Sequence, residues 1–325
     1  GELRRVTNDL NNYDGVSLTA DDSMLVTSKR DEQSSLFTVE LSNAAGSRGQ
    51  TAERAVSQIT AGVERQDGIN GVRWTADGRI LYIASASDGT DVCVIDADGA
   101  NRRRLTHDLG LPDSPSMTPD GRYVVFAAYR DDQFNVWRLD MNTGALDRLT
   151  GDLSYYPTLT PDGRSVIHTQ VVPSGKSPLH RTPLEGGPAT PLASFSARRP
   201  IVSPDGRLIA CNFNNEQKGE WEIAVIRVEG GEPIRVLQLP GFYDSPSPPE
   251  RPLAWTPDSR ALLYINDEGK ASNVWSVPLG GGPHRQLTHF TEGRIFNFSL
   301  SPDGKRLVLA RGSTATDIVL FRNFR

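Results

Sequence analysis

The sequence predicts an all-β protein, a seven-bladed β-propeller with four antiparallel strands per blade, on three observations. A turn phrase recurs seven times, each interval between turns holds four short apolar runs, and 30 glycines with 22 prolines among 325 residues favour many turns over long helices. The turn phrases are TADDS (19–23), TADGR (75–79), TPDGR (118–122), TPDGR (160–164), SPDGR (203–207), TPDSR (256–260) and SPDGK (301–305). Their shared aspartates, Asp21, Asp77, Asp120, Asp162, Asp205, Asp258 and Asp303, stand 56, 43, 42, 43, 53 and 45 residues apart, so a unit is about 43 residues long.

Within a unit the elements follow in a fixed order. In the sixth, an apolar run at 253–255 precedes the turn and another at 261–265 follows it. Runs at 273–277 and 285–288 come next, with Gly280-Gly281-Gly282 turning the chain between them. The 22 residues after Asp303 and the 21 up to Asp21 make one further unit, split between the chain ends. A solenoid has no reason for that split, whereas a ring uses it to hide open strand edges. Leu3-Arg4-Arg5-Val6-Thr7 is similar to the fourth strand Arg103-Arg104-Leu105-Thr106, so this N-terminal strand is expected to pair with the run 317–321 and close the last blade. Residues 1–325 are read as one domain. The opening Gly1-Glu2-Leu3, without an initiator Met, is expected of a piece cut from a longer protein.

Composition removes several function classes. With 35 basic against 40 acidic side chains the net charge is −5, which lends no electrostatic support to binding of nucleic acid or anionic membrane. No stretch approaches twenty apolar residues, so membrane insertion is not expected. Cys93 and Cys211 lack the CxxC spacing of zinc and redox sites, and they belong to distant blades. The turn aspartates have a hairpin role: Pro presets φ, Asp caps turn amides and Gly takes the left-handed conformation. Aligned strands place His168 and Cys211 in a column with Ile83, Phe126 and Tyr264, and His180 and Cys93 with Trp137 and Trp275, which are core positions. Asp96-Ala97-Asp98-Gly99 lacks the downstream bidentate acid of a calcium loop, and His107 and His289 lie on opposite sides of the predicted ring. No metal and no cofactor are expected.

The SPDG repeat, with Asn273-Val274-Trp275 as a third strand and Arg285-Gln286-Leu287-Thr288 as a fourth, resembles the TolB-like, WD-related propeller repeat also found in prolyl oligopeptidase-type gating domains. The opening residues 3–10 with Tyr13, and the ending Leu309-Ala310-Arg311-Gly312 through Asp317-Ile318-Val319-Leu320-Phe321, resemble the C-terminal propellers of bacterial, notably acidobacterial, serine/threonine protein kinases and of some winged-helix regulators. The resemblance implies a scaffold, sensor or gate, often outside the cytoplasmic membrane, within a larger regulatory protein.

No GxSxG elbow, HExxH pair, Walker loop or kinase HRD and DFG set occurs in the sequence. The expected function is therefore a non-catalytic module, monomeric as a fragment, that binds a protein, a peptide or an anionic small molecule. The alternative is a substrate-gating or catalytic propeller of a carbohydrate- or peptide-processing enzyme. Propeller ligands gather at the channel mouth, where fourth strands lead into first strands. Reading those connections gives Asp14 and Asp113 as acids, Tyr155 and Tyr156 as stacking rings, and Arg198, Arg199, Arg251 and Arg294 as anion donors. Two insertions, 42–55 and 238–252, are expected as added surface, the second with Phe242 and Tyr243 beside the mouth.

Overall fold

In the computed structural model the chain is described for residues 12–21, 23–41, 55–62, 66–86, 89–107, 109–240, 252–267 and 269–322. Each repeat is started by the same local lock. The turn hydroxyl donates to the turn aspartate, as in Thr118 Oγ1 to Asp120 Oδ1 (2.6 Å), Thr160 to Asp162 (2.6 Å), Ser203 to Asp205 (2.6 Å), Thr256 to Asp258 (2.7 Å) and Ser301 to Asp303 (2.6 Å). The same hydroxyl accepts the backbone N–H five residues on, from Tyr123, Ser165, Leu208, Ala261 and Arg306. The aspartate caps the amide two residues on, which together with the hydroxyl bond holds the carboxyls of Asp120, Asp162, Asp258 and Asp303 below the ordinary carboxylate range. Gly121 (φ 71°) and its counterparts supply the left-handed residue, and Ser259 takes that role at φ 58°.

Five blades are runs of four antiparallel strands in chain order; four are separate sheets, and the first is continuous with the sheet of the chain ends through one parallel bridge, Ser34↔Gln66. They are β4 (Gln66–Trp74), β5 (Ile80–Ala86), β6 (Gly89–Ile95) and β7 (Arg103–Arg104); then β8 (Asp113–Met117), β9 (Tyr123–Arg130), β10 (Gln133–Asp140) and β11 (Leu146–Arg148). The third is β12 (Ser154–Leu159), β13 (Ser165–Gln170), β14 (Leu179–Pro183) and β15 (Thr190–Pro191); the fourth β16 (Ala197–Val202), β17 (Leu208–Asn215), β18 (Glu220–Arg227) and β19 (Arg235–Leu237). The fifth is β20 (Leu253–Trp255), β21 (Ala261–Asn266), β22 (Asn273–Pro278) and β23 (Arg285–Gln286). The fourth strands are short, and a threonine just beyond them ties each to the third. Val92, Val136 and Val274 donate their N–H groups to the hydroxyls of Thr106, Thr150 and Thr288 at 2.9–3.0 Å.

The sixth blade joins the chain ends. β24 (Arg294–Leu300) pairs with the first half of β25 (Arg306–Arg322), β25 with the second half of β2 (Met24–Glu40), and β2 with β3 (Val56–Gln58). The ring shuts where β24 meets β4: Asn297 Nδ2 donates to Ile69 O (3.3 Å) and the Trp74 N–H to Ser299 Oγ (3.2 Å). The described strands thus form six blades in the ring, which corrects the expected seven. The predicted hairpins at 24–40 and 306–321 do not turn back. They open into two 17-residue strands paired in register from Met24↔Arg322 to Glu40↔Arg306. The last blade takes its third strand from the first repeat, so no gap remains for a seventh. Gly312 permits this passage, because a Cβ there would run into Gln33 O. What is left over, β1 (Asn12–Leu18) with the first half of β2 and the second half of β25, is a three-stranded ribbon beyond the ring. The expected closing strand at 3–7 and most of both insertions, 42–54 and 241–251, lie outside the described residues.

Second and third strands face each other through the predicted core columns: Phe126↔Trp137, His168↔His180, Cys211↔Ala224 and Tyr264↔Trp275. In the β4–β7 blade the member is Tyr82, opposite Cys93, rather than Ile83, because the strand is one residue shorter between turn and pair. Cys93 and Cys211 are buried thiols in separate blades. His168 is fully buried, with Nε2 2.9 Å from Thr182 Oγ1 and its ring stacked 6.1 Å from His180.

Two outcomes follow from this packing. Antiparallel partners place Cα atoms within disulfide reach, so Lys29→Cys with Asp317→Cys should crosslink within one chain on mild oxidation. Closed hairpins would leave the two thiols reduced. Burial, with the charge of His180, brings His168 down to about 4 from 6.5. The unfolded chain then binds more protons between those values, so stability falls as pH drops from 6.5 toward 4. Chemical denaturation across that window should show a shallower slope in His168→Phe, which copies Phe126 at the equivalent position.

Candidate functional site

The inner strands place one residue each at the centre of the ring. Counting back four residues from the turn Thr or Ser gives Gly71, Ser114, Tyr156, Arg199, Pro252 and Asn297, one from each blade. All six line a single narrow cavity of about 20 Å³. The register shifts around this position in β4, β8, β12, β16 and β24. Ser114, Tyr156 and Arg199 adopt φ of 53°, 53° and 48°, an uncommon conformation for side-chain-bearing residues. A bulge re-aims the side chain, here into the channel instead of a neighbouring blade. Pro115, Pro157 and Pro200 follow directly, and a bulge is one of the few places in a strand where the missing N–H costs no ladder bond. The strands converge so tightly that a Cβ on Gly71 would strike the Pro115 ring.

The charges gather on one side. The Arg199 guanidinium lies over the Tyr156 ring at 4.9 Å and its Nη2 is 4.0 Å from Asp113 Oδ2, while Ser114 Oγ donates to Asp113 Oδ1 at 3.1 Å. Arg73, two residues beyond Gly71 on β4, lines the same cavity. Desolvation first, then the like charge of Arg199, bring its pKa down to about 10, with Asp113 opposing. It stays protonated at neutral pH. Two guanidinium groups, Arg73 and Arg199, thus line one narrow cavity with Asp113 beside Arg199, so among the described lining residues the charge is positive in a chain whose net charge is −5. Among the described residues no group of three or more metal-ligating side chains converges.

Of the residues predicted from sequence, Asp113, Tyr156 and Arg199 come together. Tyr155 touches the Tyr156 ring (5.8 Å) but turns toward Phe134 (5.0 Å). Arg198 points away from the channel and covers the Trp221 ring at 5.1 Å, since adjacent strand residues face opposite sides. Arg294 is half-exposed and 3.8 Å from Asp267, so Asn297 represents its strand at the axis. Asp14 is exposed on the ribbon opposite Ser28 and does not reach the cavity. Arg251 lies outside the described residues, and its neighbour Pro252 takes the channel position. Arg73, which the reading of the loops did not include, enters from the β4–β7 blade. Arg73 was legible as a charged residue between Val72 and Trp74 on an inner strand.

Known proteins share this architecture. A solved structure of TolB from Acinetobacter baumannii superposes with a TM-score of 0.61 at 18% identity, covering 91% of this chain and 66% of that one. A chain in a nidogen/laminin complex gives 0.57 at 11% identity, covering 87% and 98%. The Tol-Pal system protein TolB of Francisella tularensis is 26% identical over 237 residues, 68% of this chain and 51% of that protein. An uncharacterised Agrobacterium fabrum protein is 30% identical over 97 residues, 29% of this chain and 33% of that one. The chain thus spans a third to a half of the length of these curated relatives. A family model described as the TolB beta propeller domain matches residues 50–248, more than half of the chain. By that match, and with six blades of the same repeat around one channel, the chain belongs to the TolB beta propeller domain family.

Proposed function

We propose that this propeller is a non-catalytic interaction module that takes an anionic group, a carboxylate of a small molecule or the acidic end of a peptide, at the Arg199 side of its channel. The observation that carries the reading is that Arg199 and Arg73 both line the cavity, with Arg199 laid over the Tyr156 ring and 4.0 Å from Asp113. A guanidinium held flat on a ring presents its fork to one carboxylate without first being ordered, so less side-chain entropy is lost on binding. Membership of the TolB beta propeller family supports an interaction role over catalysis. The module acts within a longer bacterial regulatory protein, outside the cytoplasmic membrane, as the sequence resemblance implies. The described residues contain no helix long and apolar enough to span a membrane.

Citrate and a short peptide ending in Asp-Glu are suitable probes for calorimetric titration. Arg199→Ala should weaken binding by about 1.5–3 kcal/mol, the usual worth of a hydrogen bond to a charged group. Arg198→Ala, which removes only the cover of Trp221, should leave affinity unchanged. Equal effects of the two substitutions would count against the site.

A further inference from the structure

Below the axial ring the inner strands carry a second level of residues. Counting back two from the turn Thr or Ser gives Arg73, Ser116, Thr158, Ile201, Ala254 and Ser299, one from each blade. Two residues of strand carry this level about 6–7 Å further from the mouth than Gly71 and its equivalents. The position belongs to the core between blades: Ile201 is clustered with Leu253, Trp255 and Tyr264 of the following blade, and Ala254 with Ile295 and Phe298. Arg73 is the one charged residue among the six.

No contact within the protein accounts for a guanidinium at this place. Among the described residues no hydrogen bond or ion pair is made to Arg73, and the Asp113 carboxylate accepts from Ser114 and lies beside Arg199. Arg73 instead lines the cavity that Arg199 also lines. About 10–15 Å³ of such space holds one water molecule, so the cavity of about 20 Å³ admits a single water-sized group. Pro115, Pro157 and Pro200 stand around it and have no N–H to offer a guest, which leaves the guanidinium groups as its donors. A carboxylate brings two oxygens and a chain behind them, whereas a halide places its whole charge on one atom.

We propose that Arg73 holds a halide ion, chloride in chloride-containing solution, in the narrow cavity below the axial ring. The proposal rests on the reading of this channel as an anion site and adds a second occupant of a different class. The halide offsets the mutual repulsion of Arg73 and Arg199 and leaves Arg199 to meet a carboxylate from the mouth. Fluoride binds worst, because its hydration shell is the hardest to remove in so narrow a space.

The width of the chloride NMR line tests this. Wild-type protein should broaden the line in proportion to its concentration, added bromide should narrow it again by displacement, and equal fluoride should not. Arg73→Met should raise the halide dissociation constant at least about tenfold, the loss expected for one hydrogen bond to a charged group. Arg198→Ala, whose side chain covers Trp221, should broaden the line as the wild type does. Bromide-soaked crystals of the wild type, which need no variant to fold, should show an anomalous peak within hydrogen-bond distance of the Arg73 guanidinium. A chloride line left narrow by the wild type, equal broadening by Arg73→Met, or bromide peaks confined to the outer surface would overturn the proposal. Citrate binding that persists in that case leaves the carboxylate reading of Arg199 standing, and its absence as well removes both.

Discussion

The seventeen-residue antiparallel pairing of β2 with β25 is the interaction on which the rest of the molecule depends. A ring of blades is a circular array, and each blade is stable only while both of its faces are covered. The array must therefore be tied at one place, where the two chain ends meet. Here the tie is made of two strands from the C-terminal end and two from the N-terminal end. Because it spans both ends, its loss would expose the faces of the β4–β7 and β20–β23 blades at once, and the contacts of Asn297 with Ile69 and of Trp74 with Ser299 would go with it.

The same tie sets the diameter of the channel. Six inner strands bring the Pro115 ring so close to Gly71 that a Cβ there would strike it, and hold Arg199, Tyr156 and Asp113 on one side of a narrow cavity of about 20 Å³. A seventh strand would widen the opening and separate Arg73 from Arg199, whose mutual repulsion contributes to the lowered pKa of Arg73. The candidate site and the closure are thus one constraint seen from two places, and the displaced ribbon is its by-product.

Much of this was legible in the sequence. The turn phrase marked every hairpin between first and second strands, and its chemistry, a hydroxyl, a carboxylate and a left-handed residue, is local enough to be read from five letters. The number of blades was not. Periodicity counts repeats but does not say which strand crosses from one chain end to the other. One clue was present: other second-to-third hairpins carry the adjacent pair Asp131 and Asp132 at φ 51° and 64°, or Gly219 or Gly269 at positive φ, whereas Arg30-Asp31-Glu32-Gln33 offers a single aspartate and no glycine. In the site, reading loops by approximate position mixed Arg198 with Arg199 and Tyr155 with Tyr156. A one-residue slip moves a side chain to the opposite face, and only counting from the turn Thr or Ser resolves it.

The most direct test of the closure is electron density for the crystallised chain at the two crossing points, around Gln33 and around Gly312. The account predicts unbroken strands through both, with six inner strands around the channel and residues 12–18 outside it. Density that turns back at 31–33 and at 312–316, with residues 12–18 as a seventh inner strand facing the channel, would contradict it.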